Sequence, residues 1–155
     1  MASVVSMLVA LAVIVACRAP WLVVQYDRGG GEMGEATASG LGRLSMFWPT
    51  LRGDDLNRYV TTGWLVVAFA IATLIFAVRR LSRGNHPAVA WGIVGAGCGI
   101  LVVAIVTIGR IRKIVAELEP AVFGPTVGGA GAALYFVACA GLVLILTGSL
   151  AALKR

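Results

Sequence analysis

Four runs of the chain, about residues 3–19, 63–78, 87–108 and 130–153, are almost wholly apolar and contain no acidic residue. A helix needs roughly 20 residues to cross a bilayer core of about 30 Å, and a helix that is apolar all round belongs in lipid. The pattern therefore predicts an all-α membrane protein, a four-transmembrane-helix bundle occupying residues 1–155 as one domain. The joints between the runs carry the punctuation such a reading needs. Trp64 stands before the second run and Arg79-Arg80 after it, as interfacial anchors do. Pro87 suits a helix start, and Lys154-Arg155 close the last run.

The most telling joint is Cys17-Arg18-Ala19-Pro20-Trp21. Arg18 can snorkel to headgroups and Trp21 suits the membrane interface, so both read as interface residues. Pro20 blocks helix continuation and biases Ala19 away from helical geometry. The β-branched run from Trp21 to Asp27 then predicts a strand just outside the bilayer. Arg28-Gly29-Gly30-Gly31-Glu32 supplies a turn, and a second strand is expected somewhere in Met33 to Leu44. The first loop is thus expected to carry a small extracytoplasmic β element. Within it, Ser45-Met46-Phe47-Trp48-Pro49 is an apolar patch, and Asp54 or Asp55 is placed to cap a short helix leading into the second span.

After the third run, Ile111, Ile114, Val115 and Leu118 fall at helical spacing. The third helix is therefore expected to continue beyond the membrane as an amphipathic helix until Pro120, its apolar stripe facing the first-loop sheet. Phe123 to Gly129 reads as a turn before the fourth span.

Composition sharpens the class. The chain of 155 residues is 59% hydrophobic and 13% charged, against about 25% charged for soluble domains. Its net charge of +6 comes from basic residues beside apolar spans, where they serve as topological anchors and lipid-headgroup partners rather than nucleic-acid contacts. Arginine greatly outnumbers lysine, and with abundant Ala, Gly and Val this is the composition of a GC-rich bacterial coding sequence. Cys17, Cys98 and Cys139 form no CxxC pair and read as small packing residues. Ile14-Val15-Ala16-Cys17 fits a lipobox, but Met1-Ala2-Ser3 lacks the basic residues of a signal peptide and Arg18 is a poor follower of a lipidated cysteine. The first run is therefore read as an uncleaved helix.

Two orientations compete. The second loop and the C-terminus carry Arg79, Arg80, Arg83, Lys154 and Arg155 with no acid. The other side carries Arg18, Arg28, Arg43, Arg52, Arg58, Arg110, Arg112 and Lys113 together with all seven acids. Counting Lys and Arg alone favours the second side as cytoplasmic. Several of those residues are spread through a long loop expected to fold, so both termini are assigned to the cytoplasmic face of a bacterial plasma membrane.

The four spans, the Arg-x-Pro-Trp step at Arg18 to Trp21 and the strand after it resemble the actinobacterial tryptophan-associated four-span membrane proteins. They also resemble the claudin-like tetraspan architecture, in which the first extracellular loop forms a small sheet on a left-handed four-helix bundle. The first resemblance implies a plasma-membrane protein that serves as an accessory subunit. The second implies the architecture only, because a claudin loop pairs its Trp with two cysteines and this loop has none past Cys17.

No enzymatic constellation is present: one histidine, His86, lies in a short polar loop, and there are no intramembrane carboxylates, HExxH motif or phosphate-binding glycine loop. No catalytic, cofactor or metal site is expected. A proton- or ion-coupled transporter would place an ionisable group inside a span, and none lies there. The positive signal is small-residue packing. Gly92, Gly95, Ala96, Gly97 and Gly99 crowd the third span, and small residues let helix backbones approach in lipid. At about 100° per residue Gly92, Gly95, Ala96 and Gly99 share a face, assigned to the bundle, while Gly97 lies off it, assigned to a partner. Partner contacts are thus expected at Gly92, Gly95, Gly97, Gly99, Phe47 and Trp48, and interfacial anchoring at Arg18, Trp21, Trp64, Arg79 and Arg80. The expected function is a non-catalytic membrane accessory subunit of a larger cell-envelope complex, in lipid transport or respiration. The expected partners are the lipid bilayer and other integral membrane subunits. A small homo-oligomeric transporter or channel is the alternative.

Overall fold

The computed structural model describes residues 2–27, 33–43, 62–83, 86–118 and 127–153. Among them are four helices and three strands: α1 (Ala2–Ala16), β1 (Pro20–Asp27), β2 (Met33–Ser39), α2 (Gly63–Arg83), α3 (Pro87–Leu118), β3 (Val127–Ala130) and α4 (Ala132–Leu153). The Gly-rich turn at 28–32, the patch at 45–49 with Phe47 and Trp48, the caps at Asp54 and Asp55, and the stop at Pro120 lie outside the described residues.

The helices pack in a ring, α1 on α2, α2 on α3, α3 on α4 and α4 back on α1, with neighbours antiparallel. The two ends of the bundle differ. At one end Cys17, Gly63 and Gly131 come together; at the other, the Arg80 guanidinium Nη2 donates to the Ala151 carbonyl oxygen at 3.2 Å. Ala2 and Leu153 therefore lie at the same end, away from the sheet.

Three helices, α2, α3 and α4, are long and apolar enough to cross a membrane. The first expected span, 3–19, is corrected: α1 stops at Ala16 after 15 residues, roughly 22 Å at 1.5 Å per residue, which is short of a bilayer core by itself. Cys17 N donates to Val13 O, but Arg18 N and Ala19 N close back only three residues, to Val15 O and Ala16 O, so the chain tightens into a turn before Pro20. The second helix runs past the expected 78 to Arg83, because nothing in Arg79-Arg80-Leu81-Ser82 opposes helix. The third is one continuous helix of 32 residues from Pro87 to Leu118, as its amphipathic tail predicts. The fourth starts at Ala132 rather than 130, since Ala130 belongs to a strand.

The sheet has β1 at its centre, antiparallel to β2 on one side and to β3 on the other. Pro20 opens β1, where its missing N–H costs no ladder bond. Leu22 and Val24 share one face and are buried, with Ala38 and Ala36 opposite them on β2 and Ala130 and Gly128 on β3. That apolar face meets the extension of α3. A Cβ at Gly128 would stand 3.1 Å from Val24 Cγ2 and 3.4 Å from Val115 Cγ1, so the bare glycine lets Val115 close on the sheet. Ile111, one turn earlier, is buried in the same cluster.

Inside the ring small side chains alternate with large ones: Ala10, Val13, Ala70, Thr73, Ala77, Ala90, Ala96, Ala104 and Ala140 are nearly or fully covered, and so are Ile93, Ile100, Leu134 and Leu144. Many further large ones point outward. Leu8, Val15, Trp64, Ile75, Trp91, Val102, Ile105, Leu146 and Leu150 are each at least half exposed. Exposed large apolar side chains this dense form a continuous apolar outer surface on the bundle, compatible with a lipid surround.

Candidate functional site

The end of α1 is held by close contacts from several segments. β1 bulges between Pro20 and Leu22, leaving Trp21 without a partner on β2, and a bulge re-aims the side chain it carries. The indole turns back over the bundle, is 1% exposed, and donates from Nε1 to the carbonyl oxygen of Ala16 at 3.1 Å. That bond satisfies one of the last carbonyls of α1, which have no partner within the helix. The ring lies flat against Gly40, where a Cβ would fall among its carbon atoms. A Cβ on Gly63 would in turn meet the backbone of Gly40, and one on Gly131 the carbonyl of Pro20. The Cys17 thiol reaches Gly63 O at 3.9 Å, and Gly131 N donates to Trp21 O at 2.7 Å. One helix end, two helix starts and the strand between them are thereby clamped at three glycines.

Trp21 is accordingly corrected from interface residue to core residue. Its indole N–H finds a carbonyl inside the protein, which removes the reason for it to seek the headgroups. Trp64, in contrast, is 59% exposed at the start of α2, and Arg18 is exposed in the turn after α1. At the opposite end Arg79 is exposed, whereas Arg80 is half-buried and bonded to the C-terminal turn of α4, where a cation is favoured by the helix dipole.

The clamp shapes a cleft of about 370 Å³ beside it, lined among the described residues by Arg18, Ser39, Leu41, Arg43 and Trp64. Its floor is the turn Ser39–Arg43. Ser39 N donates to Arg43 O at 2.9 Å, Gly42 N to Ser39 O at 3.0 Å, and Arg43 N to Ser39 Oγ at 3.0 Å. Gly42 carries φ 84°, the left-handed geometry this tight turn requires. Arg43 therefore leaves the backbone from a fixed point.

The glycines of α3 divide between two neighbours. Gly92 and Gly99 lie under the rings of Phe76 and Phe69 of α2, where an added Cβ would stand 2.9 Å and 2.7 Å from ring carbons. Gly97 is buried against α4, 3.0 Å from Gly141 O by the same measure. Gly95 has open space where its Cβ would be. The expected assignment is thus reversed: Gly97 belongs to the bundle and Gly95 faces outward, in a shallow notch with exposed Cys98 between Trp91 and Val102. Angular spacing tells which residues share a face but not which way the face points. The Phe69–Phe76 pair escaped notice, although its spacing of seven residues equals that of Gly92 and Gly99 on an antiparallel neighbour.

Three hydroxyls within the bundle are held by their own helices: Ser6 Oγ donates to Ala2 O, Thr73 Oγ1 to Phe69 O and Thr107 Oγ1 to Val103 O. Thr62 and Thr107 also meet at 3.2 Å, linking the start of α2 to α3. No group of metal-ligating side chains occurs among the described residues. Compared with known protein families and with curated proteins, the chain matches none.

Proposed function

We propose that this chain is a multi-pass integral membrane protein of a bacterial plasma membrane, with all four helices crossing, both termini cytoplasmic and the sheet outside. It acts as a non-catalytic accessory subunit of a larger cell-envelope complex, in lipid transport or respiration. The observation that carries the membrane reading is the girdle of large apolar side chains left exposed along α2, α3 and α4, each of them long and apolar enough to cross a bilayer. The short α1 completes its crossing with the turn at 17–19 and by Arg18 reaching up to the headgroups, a device open to helices shorter than the bilayer.

The accessory role is supported by what the bundle offers a neighbour. The interior hydroxyls of Ser6, Thr73 and Thr107 are bonded to their own helices, while the notch at Gly95 and Cys98 lets another helix approach α3 closely. Extraction from native membranes in mild detergent, followed by native mass measurement, tests the reading. Recovery without detergent overturns membrane insertion. A large heteromeric particle supports the subunit role, a defined homo-oligomer replaces it with a small transporter or channel, and a bare monomer overturns association.

A further inference from the structure

We infer that the cleft bounded by Arg18, Arg43 and Trp64 is a binding site for the phosphate group of an anionic phospholipid. The inference deepens the membrane reading above and rests on it. Three features of the cleft point to this ligand.

The first is charge. Two arginines line it, and among the described residues no carboxylate or carbonyl is bonded to the guanidinium of either. Each fork can take two phosphate oxygens at once, and Arg is the less hydrated of the two basic side chains, so it gives up water readily at such a site. Ser39 adds a donor. It is 6% exposed, and its Oγ accepts the N–H of Arg43, which leaves the hydroxyl proton for an acceptor in the cleft.

The second feature is preorganisation. Arg18 leaves a turn closed by backbone bonds to Val15 and Ala16, and Arg43 leaves the Ser39–Arg43 turn. Trp64 follows Gly63, which is locked against Gly40. The three walls come from separate segments, yet all are fixed to the same clamp around Trp21. Little backbone order remains to be lost on binding, which is where affinity for a small anion is otherwise dissipated.

The third is position, and it selects a lipid over a soluble anion. The cleft lies at the sheet end of α1 and the start of α2, where the apolar outer surface begins. From its rim Val15 and Leu11 continue down α1, and Leu65 and Ile71 down α2, all substantially exposed. Acyl chains can lie on that surface while the phosphate occupies the cleft. Trp64 sits between the two, apolar in body and polar at its N–H, as interfacial Trp does. A volume of about 370 Å³ holds a headgroup and falls at the lower end of small-molecule sites, roughly 300–1,000 Å³.

The test uses the full chain in nanodiscs of phosphatidylcholine doped with phosphatidylglycerol, with bound lipid counted by native mass spectrometry. The wild type is expected to retain phosphatidylglycerol. Arg18→Gln/Arg43→Gln should weaken retention roughly tenfold or more, and either single change severalfold. Arg79→Gln, which removes a charge at the far end, should leave it unchanged. Arg18→Lys/Arg43→Lys keeps the charge but not the forks and should fall between. Equal retention by the double Gln variant, or equal loss in Arg79→Gln, overturns the site. Should the double variant not fold, the two single variants decide in the same terms. Millimolar inorganic phosphate is the second arm: displacement of the bound lipid would make this a soluble-anion site and overturn the lipid assignment. Failure in any of these arms with the protein still held in the membrane leaves the membrane reading standing.

Discussion

Gly97 and Gly141 face each other across the crossing of α3 and α4, so placed that a Cβ on either would stand 3.0 Å from the carbonyl oxygen of the other. The contact is backbone to backbone, and neither side has a flexible atom to move aside. Gly97→Leu should therefore lower stability by about 1–3 kcal/mol or more through overpacking. Gly95→Leu fills open space outside the bundle and should leave stability unchanged. Thermal aggregation midpoints in detergent decide the matter. Equal midpoints for Gly97→Leu and wild type would refute this packing, and a loss of native mass confined to Gly95→Leu would locate the partner on the outer face of α3.

On the other flank of α3 the obstacle is a ring rather than backbone. A Cβ at Gly99 meets Phe69 and one at Gly92 meets Phe76, and aromatic rings can yield by rotation. Gly99→Ala should cost less than Gly97→Ala for that reason. Combining Gly99→Ala with Phe69→Leu should recover part of the loss, a coupling of about 0.5–3 kcal/mol in a double-mutant cycle. Strictly additive effects would mean that the two residues do not touch.

Much of this architecture is legible in the sequence because it depends on local pattern. The length of the apolar runs marks α2, α3 and α4, the stripe Ile111, Ile114 and Val115 marks the extension of α3, and Pro20 marks the passage from helix to β1. The rest depends on tertiary contact. Val127-Gly128-Gly129-Ala130 has no alternation and one β-branched residue, yet it forms β3, because β1 offers it a free edge and Val115 needs a bare position. Trp21 reads as an interface residue because nothing local reveals the bulge that turns it inward. The cleft was least accessible of all: Arg18, Arg43 and Trp64 lie far apart in the chain, and only the clamp joins them.

The role of Trp21 separates two physical effects. As an interfacial anchor it would be replaced adequately by Phe. As a buried post that also caps α1, it would not. Trp21→Phe should lose about 0.5–1.5 kcal/mol with the hydrogen bond to Ala16. Trp21→Ala should lose about 3–5 kcal/mol and reduce accumulation in the membrane. Denaturation in mixed micelles measures both, and a Trp21→Ala variant as stable as wild type would exclude the clamp.

Orientation is decided by which end of the bundle faces the cytoplasm. The sheet end carries Arg18, Arg43, Arg110, Arg112 and Lys113, and a plain count of basic residues draws it inward. Against that count stands the way the end is built: β2 and its turn are tied to β1, and the extension of α3 is packed on the sheet through Val115. These basic residues thus belong to a folded layer with acids among its neighbours in sequence, whereas Arg79, Arg80 and Arg83 form the last turns of α2 beside a short connection with none. The short connection is the stronger topological determinant, because charge acts on insertion most directly in short loops beside a span. Glu35 is exposed on β2 and Arg79 is exposed at the far end of α2, so each reports one side. With Cys98 and Cys139 replaced by Ala, and Cys17 shielded by its complete burial, Glu35→Cys should react with a membrane-impermeant maleimide on intact cells. Arg79→Cys should react only after permeabilisation. The opposite pattern would put the sheet, and the cleft beside Arg18, in the cytoplasm.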